Sequence, residues 1–324
     1  MLEDGVSISS VQESTRMVQT GTSILDQYAA QAREEIDSAL DTWSEFDSNC
    51  PTRLRDAIRH SLLSSGKRLR PLLVLMTAEA CGCSREAAMP AACAVEMVHT
   101  YSLIHDDLPA MDDDETRRGK PTCHVAFDEA TAILAGDALL AGAFEVLSSH
   151  VEPASIAAAC CIELARATGP TALVGGQMDD LLAEDAIREE SEWTGPLARQ
   201  ELLQSIHARK TGALIRASVR LGAVIAQVDS ELLHRLDLYG EKIGLAFQIA
   251  DDLLDARGDA STVGKAVGKD IHQGKLTFPG VWGVDESACR AEELVSAACD
   301  LLGPLGARAE YLIALAQYVL KRDH

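Results

Sequence analysis

The sequence predicts an all-α fold, a single-domain helical bundle around a central cavity, and three observations predict it. Hydrophobic residues make up 47% of the chain but aromatics only 4%. Ala and Leu dominate, which suits close-packed helices better than strands, whose residues of choice are Val, Ile, Tyr and Phe. Apolar positions recur at helical intervals, punctuated by Pro, Ser and Gly, and no internal repeat or strand pair stands out.

Taken in order, the first 22 residues are polar and are assigned to a disordered tail, leaving 23–324 as the domain. A helix is expected from about Ile24 to Phe46, ending before Cys50-Pro51. Pro51 suits the first turn of the next, through Leu54, Ile58 and Leu62. Pro71 is expected to open a helix that stops at Gly82, and Ser84 to cap the following one, with Pro90 starting or bending a long helix through Ile104. Further helices are predicted over 124–149, 153–167, 170–185, 195–225, 230–255, 274–284, 286–301 and 306–321.

The net charge of −21 argues against nucleic-acid or anionic-membrane partners. Nine Cys, without repeated CxxC spacing, read as reduced and largely buried thiols of a cytoplasmic protein. No apolar run approaches the length of a membrane span, and no secretory leader opens the chain.

The chemistry centres on two acidic clusters. Asp106, Asp107, Asp112, Asp113 and Asp114 crowd into a short stretch directly after an apolar helix. Like charges so close repel unless a cation lies between them. Pro109 cannot donate to the carbonyl of His105 and must end or bulge the helix, bringing Asp106 and Asp112 together. The second cluster, Asp251-Asp252-Leu253-Leu254-Asp255, follows a segment apolar on all sides. Asp251 and Asp255 share a face there, with Gln248 one turn earlier, and buried carboxylates need partners. A hard cation held by oxygen ligands fits both.

Basic groups gather around these clusters: Gly66-Lys67-Arg68-Leu69-Arg70 before a helix, Arg117-Arg118, Lys210-Thr211-Gly212, Lys265, Lys269 and Lys275. Magnesium with two anionic phosphates would satisfy both sets of charges.

This ordered set, together with Gly268-Lys269-Asp270, closely resembles the trans-prenyltransferases, the isoprenyl diphosphate synthases of farnesyl and geranylgeranyl type. The resemblance runs from about residue 25 onward and is weakest after about 285. It implies a homodimer with three Mg²⁺ ions, two on Asp106 and Asp112 with Asp107 in support, and one on Asp251 and Asp255. It also implies isopentenyl diphosphate held by Gly66, Lys67, Arg70, His99 and Arg118. An allylic diphosphate would lie on Arg117, Lys210, Lys265 and Lys275, with Thr211 and Gln248 facing the carbocation. Tyr101 and Ser102, just before Asp106, resemble the bacterial farnesyl pattern that limits product length to C15; C20 is the alternative. Asp179 and Asp180 read as structural or as supporting the residues that line the site, Gln177 as bonding within the core, and His207 and Arg209 receive no role. A terpene cyclase would mix Asn, Ser or Thr with Glu in its second motif, and a non-catalytic partner subunit would have lost a motif. Neither departure is present.

Overall fold

A computed structural model describes residues 8–188, 196–257 and 276–321. Helix α1 (Ile8–Trp43) precedes α2 (Thr52–Leu62), α3 (Leu69–Ala80) and α4 (Arg85–Asp106). After a loop and a small hairpin come α5 (Cys123–Ala126), α6 (Glu129–His150), α7 (Ala154–Thr168) and α8 (Leu173–Arg188). Then α9 (Pro196–His207) passes through a π-helical turn (Ala208–Gly212) into α10 (Ala213–Ile225), followed by α11 (Ser230–Arg257). The chain closes with α12 (Phe278–Trp282), α13 (Val284–Leu301), a 3₁₀ segment (Gly303–Ala309) and α14 (Glu310–Leu320).

Two helices form the centre. Every residue from Pro71 to Ala78 on α3 is buried, as is every one from Pro90 to Val98 on α4. A helix apolar on all sides must be surrounded, and α6, α10 and α1 pack against this pair. The Tyr239 hydroxyl donates to the Leu312 carbonyl at 2.8 Å, tying α11 to α14. The cap predicted from sequence is in place: Ser84 Oγ accepts from the Ala87 amide at 3.3 Å.

The structure corrects several expectations. The first helix begins at Ile8, within the segment assigned to a tail. Helix α3 begins at Leu69, after Arg68 in a left-handed conformation (φ 49°), so Pro71 lies inside the first turn rather than opening it. Helix α4 starts at Arg85 and runs through Pro90. The predicted 195–225 helix is interrupted by the π turn. A two-residue hairpin pairs Thr116–Arg117 with Lys120–Pro121. Its turn has positive φ at Arg118 (53°) and Gly119 (74°), the twist that matches paired strands. Of the nine free thiols, only Cys93, Cys123 and Cys160 are buried. Helix α6 is long and apolar enough to cross a bilayer by length and composition, with a mean hydropathy of 1.6, but it packs one side against α4.

Arg68 pins the loop between α2 and α3. Its guanidinium meets Glu96 and Asp37 at 2.8 Å and donates to the Leu62 and Ser64 carbonyls at 3.0 Å. Its side chain and that of Glu96 are each 2% exposed. Arg68 is therefore structural, unlike its neighbours in the basic loop. Arg68→Met strands Glu96 without its counter-charge and is expected to cost about 3–5 kcal/mol in urea unfolding, with Arg68→Met/Glu96→Leu recovering much of the loss.

Candidate active site

The break in α4 builds the first wall. The helix ends at Asp106, and the chain doubles back so that the Asp112 amide donates to the Asp106 carbonyl at 2.9 Å. The positive φ of Asp113 (50°) completes the reversal. Asp106 and Asp112 are thereby neighbours, as the sequence requires. Gln177 Nε2 on α8 donates to Asp106 Oδ1 at 2.5 Å, and Lys210 Nζ stands 3.8 Å from the same oxygen and 2.6 Å from Asp180. Burial works against the Lys210 ammonium, but Asp106 and Asp180 outweigh it and hold its pKa above the usual lysine value. Asp180, expected as a structural or supporting residue, and Gln177, expected within the core, belong to this wall. Their signal was a spacing of three residues after Gly175-Gly176, which puts both on one helical face.

Asp107 is committed elsewhere. Its buried carboxylate accepts from Arg117 at 2.7 Å (Nε) and 2.6 Å (Nη2), and Asp114 stands 3.7 Å from the same guanidinium. Burial raises the Asp107 pKa against the pull of Arg117. The pair braces the loop behind Asp106. Arg117 gives Nε and Nη2 to this carboxylate.

The basic loop faces a different problem. Arg70 Nη1 lies 3.3 Å from His99 Nε2, which accepts from it, and the buried Arg70 Nε has no partner. Burial and the neighbouring Arg118 lower the Arg70 pKa, while burial and the three arginines Arg70, Arg118 and Arg117 push that of His99 well down. Arg118 Nη1 donates to the Ser65 carbonyl at 3.1 Å and fills the space beside Gly66, where a Cβ would lie 2.5 Å from it. Lys67 is exposed alongside. Cations gathered this closely, with the buried Arg70 Nε unpartnered among the described residues, make a receptor for a polyanion.

Helix α11 supplies the second acidic cluster. Asp252 is buried, accepting from Gln248 Nε2 at 2.9 Å and from the Phe278 amide at 2.9 Å. Gln248 is thus drawn to Asp252 one turn on, not to Asp251, because a buried carboxylate must collect donors. Asp251 and Asp255 remain half-buried on the neighbouring face, and Asp251 is near enough to act on the Arg70 pKa. Both acidic motifs therefore spend their second aspartate on structure. The π turn that carries Lys210 and Thr211 fits between α8 and α11 because both present glycine. A Cβ at Gly176 would lie 2.3 Å from the Lys210 nitrogen, and one at Gly244 3.0 Å from Gly212 Cα. Such turns recur at functional positions. Lys265, Lys269, Lys275 and the Gly268-Lys269-Asp270 run lie outside the described residues.

Tyr101, 6% exposed, packs edge-on against His105, and Ser102 Oγ donates to the His99 carbonyl at 2.8 Å. Arg209 pairs with Asp179. His207 stacks on Phe278, with ring centroids 5.1 Å apart, and Phe278 on Trp282 at 4.7 Å.

An all-helical cage with acidic walls, a lysine between carboxylates and a cationic pocket defines an enzyme of phosphorylated anions. The chain belongs to the polyprenyl synthetase family, whose profile matches residues 51–299, and is a trans-prenyl diphosphate synthase. It is 42% identical over 309 residues to a geranylgeranyl diphosphate synthase of Cyanophora paradoxa, covering 95% of this chain and 99% of that one. It is 39% identical over 306 residues to a farnesyl diphosphate synthase of Bacillus subtilis, covering 94% of this chain and 100% of the relative. The crystal structure of an FPP/GFPP synthase from Zymomonas mobilis superposes with a TM-score of 0.81 at 37% identity, covering 92% of this chain and 99% of that one.

The His207 ring makes a pH prediction. Burial lowers its pKa from 6.5 to about 4, and Asp180 opposes that shift only in part. The folded state thus holds His207 neutral where the unfolded chain would protonate it. Its contribution is complete above 6.5 and is lost as the pH falls through about 4. Urea midpoints between these values should drop by up to about 3 kcal/mol equivalent, and His207→Phe should flatten that part of the profile.

Proposed function

We propose that this enzyme condenses isopentenyl diphosphate head-to-tail with dimethylallyl and geranyl diphosphates to give farnesyl diphosphate. The observation that carries the product length is Tyr101, a bulky buried ring on α4 little more than one turn before Asp106. A ring there would close the cavity below the first aspartate motif. The alternative is a C20 product, favoured by the similarity to the Cyanophora paradoxa protein named a geranylgeranyl diphosphate synthase. A non-catalytic subunit fits less well, since both aspartate clusters and the basic pocket are whole.

Magnesium suits the donor set. Asp106 and Asp112 present hard oxygen donors from one wall, Asp251 and Asp255 from α11, and substrate oxygens and water would complete the shell. Magnesium bound there would stabilise the charge that builds on the departing diphosphate. Lys210, charged between Asp106 and Asp180, adds a positive group beside the same oxygens, and Gln177 keeps the Asp106 carboxylate oriented. Arg117, Lys265 and Lys275 are proposed to reach the allylic diphosphate. Arg70, His99, Arg118 and Lys67 hold isopentenyl diphosphate, positioning its double bond for attack on the allylic cation. Thr211 and Gln248 present oxygen dipoles toward that cation. The released diphosphate is proposed to accept the final proton.

Exposed Ile133 and Leu134 on α6 and Val174, Met178 and Leu182 on α8 support a homodimer, since apolar faces of this kind favour a partner. The nine free thiols support a cytoplasmic setting.

Incubating the purified protein with Mg²⁺, isopentenyl diphosphate and each allylic primer, then sizing the products, tests the reading. C15 diphosphate is expected as the main product; C20 would favour the alternative, and no elongation would favour the subunit. Asp106→Ala and Asp251→Ala should each lower turnover by about three powers of ten, and near-normal rates in either would remove that residue from the site. Tyr101→Ala should lengthen the product beyond C15.

A further inference from the structure

Helices α4 and α6 meet at His105, a residue to which the proposed reaction assigns no role. His105 lies one turn after Tyr101, and the two rings meet edge to face, with centroids 5.5 Å apart and planes at 87°. The other edge of the His105 ring reaches α6, where Nε2 is 3.1 Å from the Ile133 carbonyl. A carbonyl only accepts, so this nitrogen carries the hydrogen and donates it. The imidazole occupies space that Gly136 leaves open. A Cβ at that position would lie 2.2 Å from Nε2 and 2.6 Å from Cδ2. Gly136 otherwise sits within an α-helix, where glycine is a poor choice, costing about 1 kcal/mol relative to alanine. That cost is explained if the space itself is needed. Asp137, next along α6, adds to burial in raising the Tyr101 pKa, which places this stretch of α6 close to the phenol as well.

We propose that His105 is a specificity-positioning residue. Clamped by the Ile133 carbonyl in the space left by Gly136, its ring holds Tyr101 in place and so limits how far the product can grow. This rests on the reading of Tyr101 as the floor of the product cavity. A tyrosine ring has two soft torsions, and burial alone leaves a growing apolar chain free to push it aside. A T-shaped neighbour anchored to a second helix resists that push.

The test uses the full-length enzyme with Mg²⁺, isopentenyl diphosphate and dimethylallyl diphosphate, and reads the ratio of longer products to C15. Gly136→Ala displaces the imidazole without touching the diphosphate site, and His105→Phe keeps an aromatic ring but removes the N–H. Both are expected to raise the ratio roughly fivefold or more, the scale on which one apolar contact discriminates. Consumption of isopentenyl diphosphate by Gly136→Ala should change little. Gly136→Ala combined with Tyr101→Ala should add nothing to Tyr101→Ala alone, because the two act through one ring. A lowered melting temperature with an unchanged ratio in both single variants would mean a merely structural contact and would overturn the proposal. So would an additive double variant. If Tyr101→Ala lengthens products while the other two do not, this inference fails and the floor role stands. If Tyr101→Ala leaves the ratio unchanged, the floor role falls and takes the inference with it.

Discussion

The backbone bond from the Asp112 amide to the Asp106 carbonyl is the constraint on which the first wall depends. Continued as a helix, the chain would set these two side chains about 120° apart. Pro109 removes that option, and the fold-back replaces the lost helical bond with one that converges two carboxylates. Convergence alone would be unstable, since both are partly shielded from water. The structure offsets this with Lys210 and Gln177 on Asp106, while Arg117 neutralises Asp107 beside them. Each compensating group comes from a different element, so the carboxylate pair also organises the packing of α8, the π turn and the hairpin around it.

The two acidic motifs divide their labour in the same way. Asp107 and Asp252 are buried and each is bound by donors of the fold, Arg117 in one case, Gln248 and the Phe278 amide in the other. Their neighbours Asp106, Asp112, Asp251 and Asp255 are only half-buried. An aspartate locked by strong hydrogen bonds fixes its neighbour's backbone and hence the direction of its side chain. The basic pocket shows the converse state, with the buried Arg70 Nε unpartnered among the described residues and His99 held neutral by burial and surrounding cations. A surplus of negative charge on one side and of positive charge on the other is what a diphosphate with a divalent cation resolves.

Much of this was legible in the sequence because it rests on local rules. Helical periodicity marks the buried helices, Ser84 its cap, and Pro109 the break. The spacing of Asp251 and Asp255 follows from the helix alone. What was not legible depends on choices among tertiary partners. Nothing in Gly66-Lys67-Arg68-Leu69-Arg70 says that Arg68 turns inward to Glu96 while Arg70 turns to His99. Gln248 could lie beside Asp251 or bond Asp252, and the burial of Asp252 decides it. The π turn was equally hidden, since its one extra residue shifts the apolar phase at a single point, which is hard to tell from ordinary irregularity in the pattern. Glycines at 176 and 244 mark it only once the neighbouring helices are known.

Helix α4 gathers these constraints into one rigid part. Glu96 secures it to the α2–α3 loop through Arg68, His99 faces the cationic pocket, and Asp106 ends it at the acidic wall. Tyr101 lies between, five residues or ~7.5 Å of helix rise from Asp106. In a buried, regular helix that separation cannot drift, because any sliding would unseat the Glu96 ion pair and the Ile133 contact together. A single helix therefore fixes the distance between Asp106 and the Tyr101 ring. Under the proposed function, that spacing separates reaction class from product length. The first would depend on charges around the helix end, the second on apolar volume and aromatic packing little more than one turn before it.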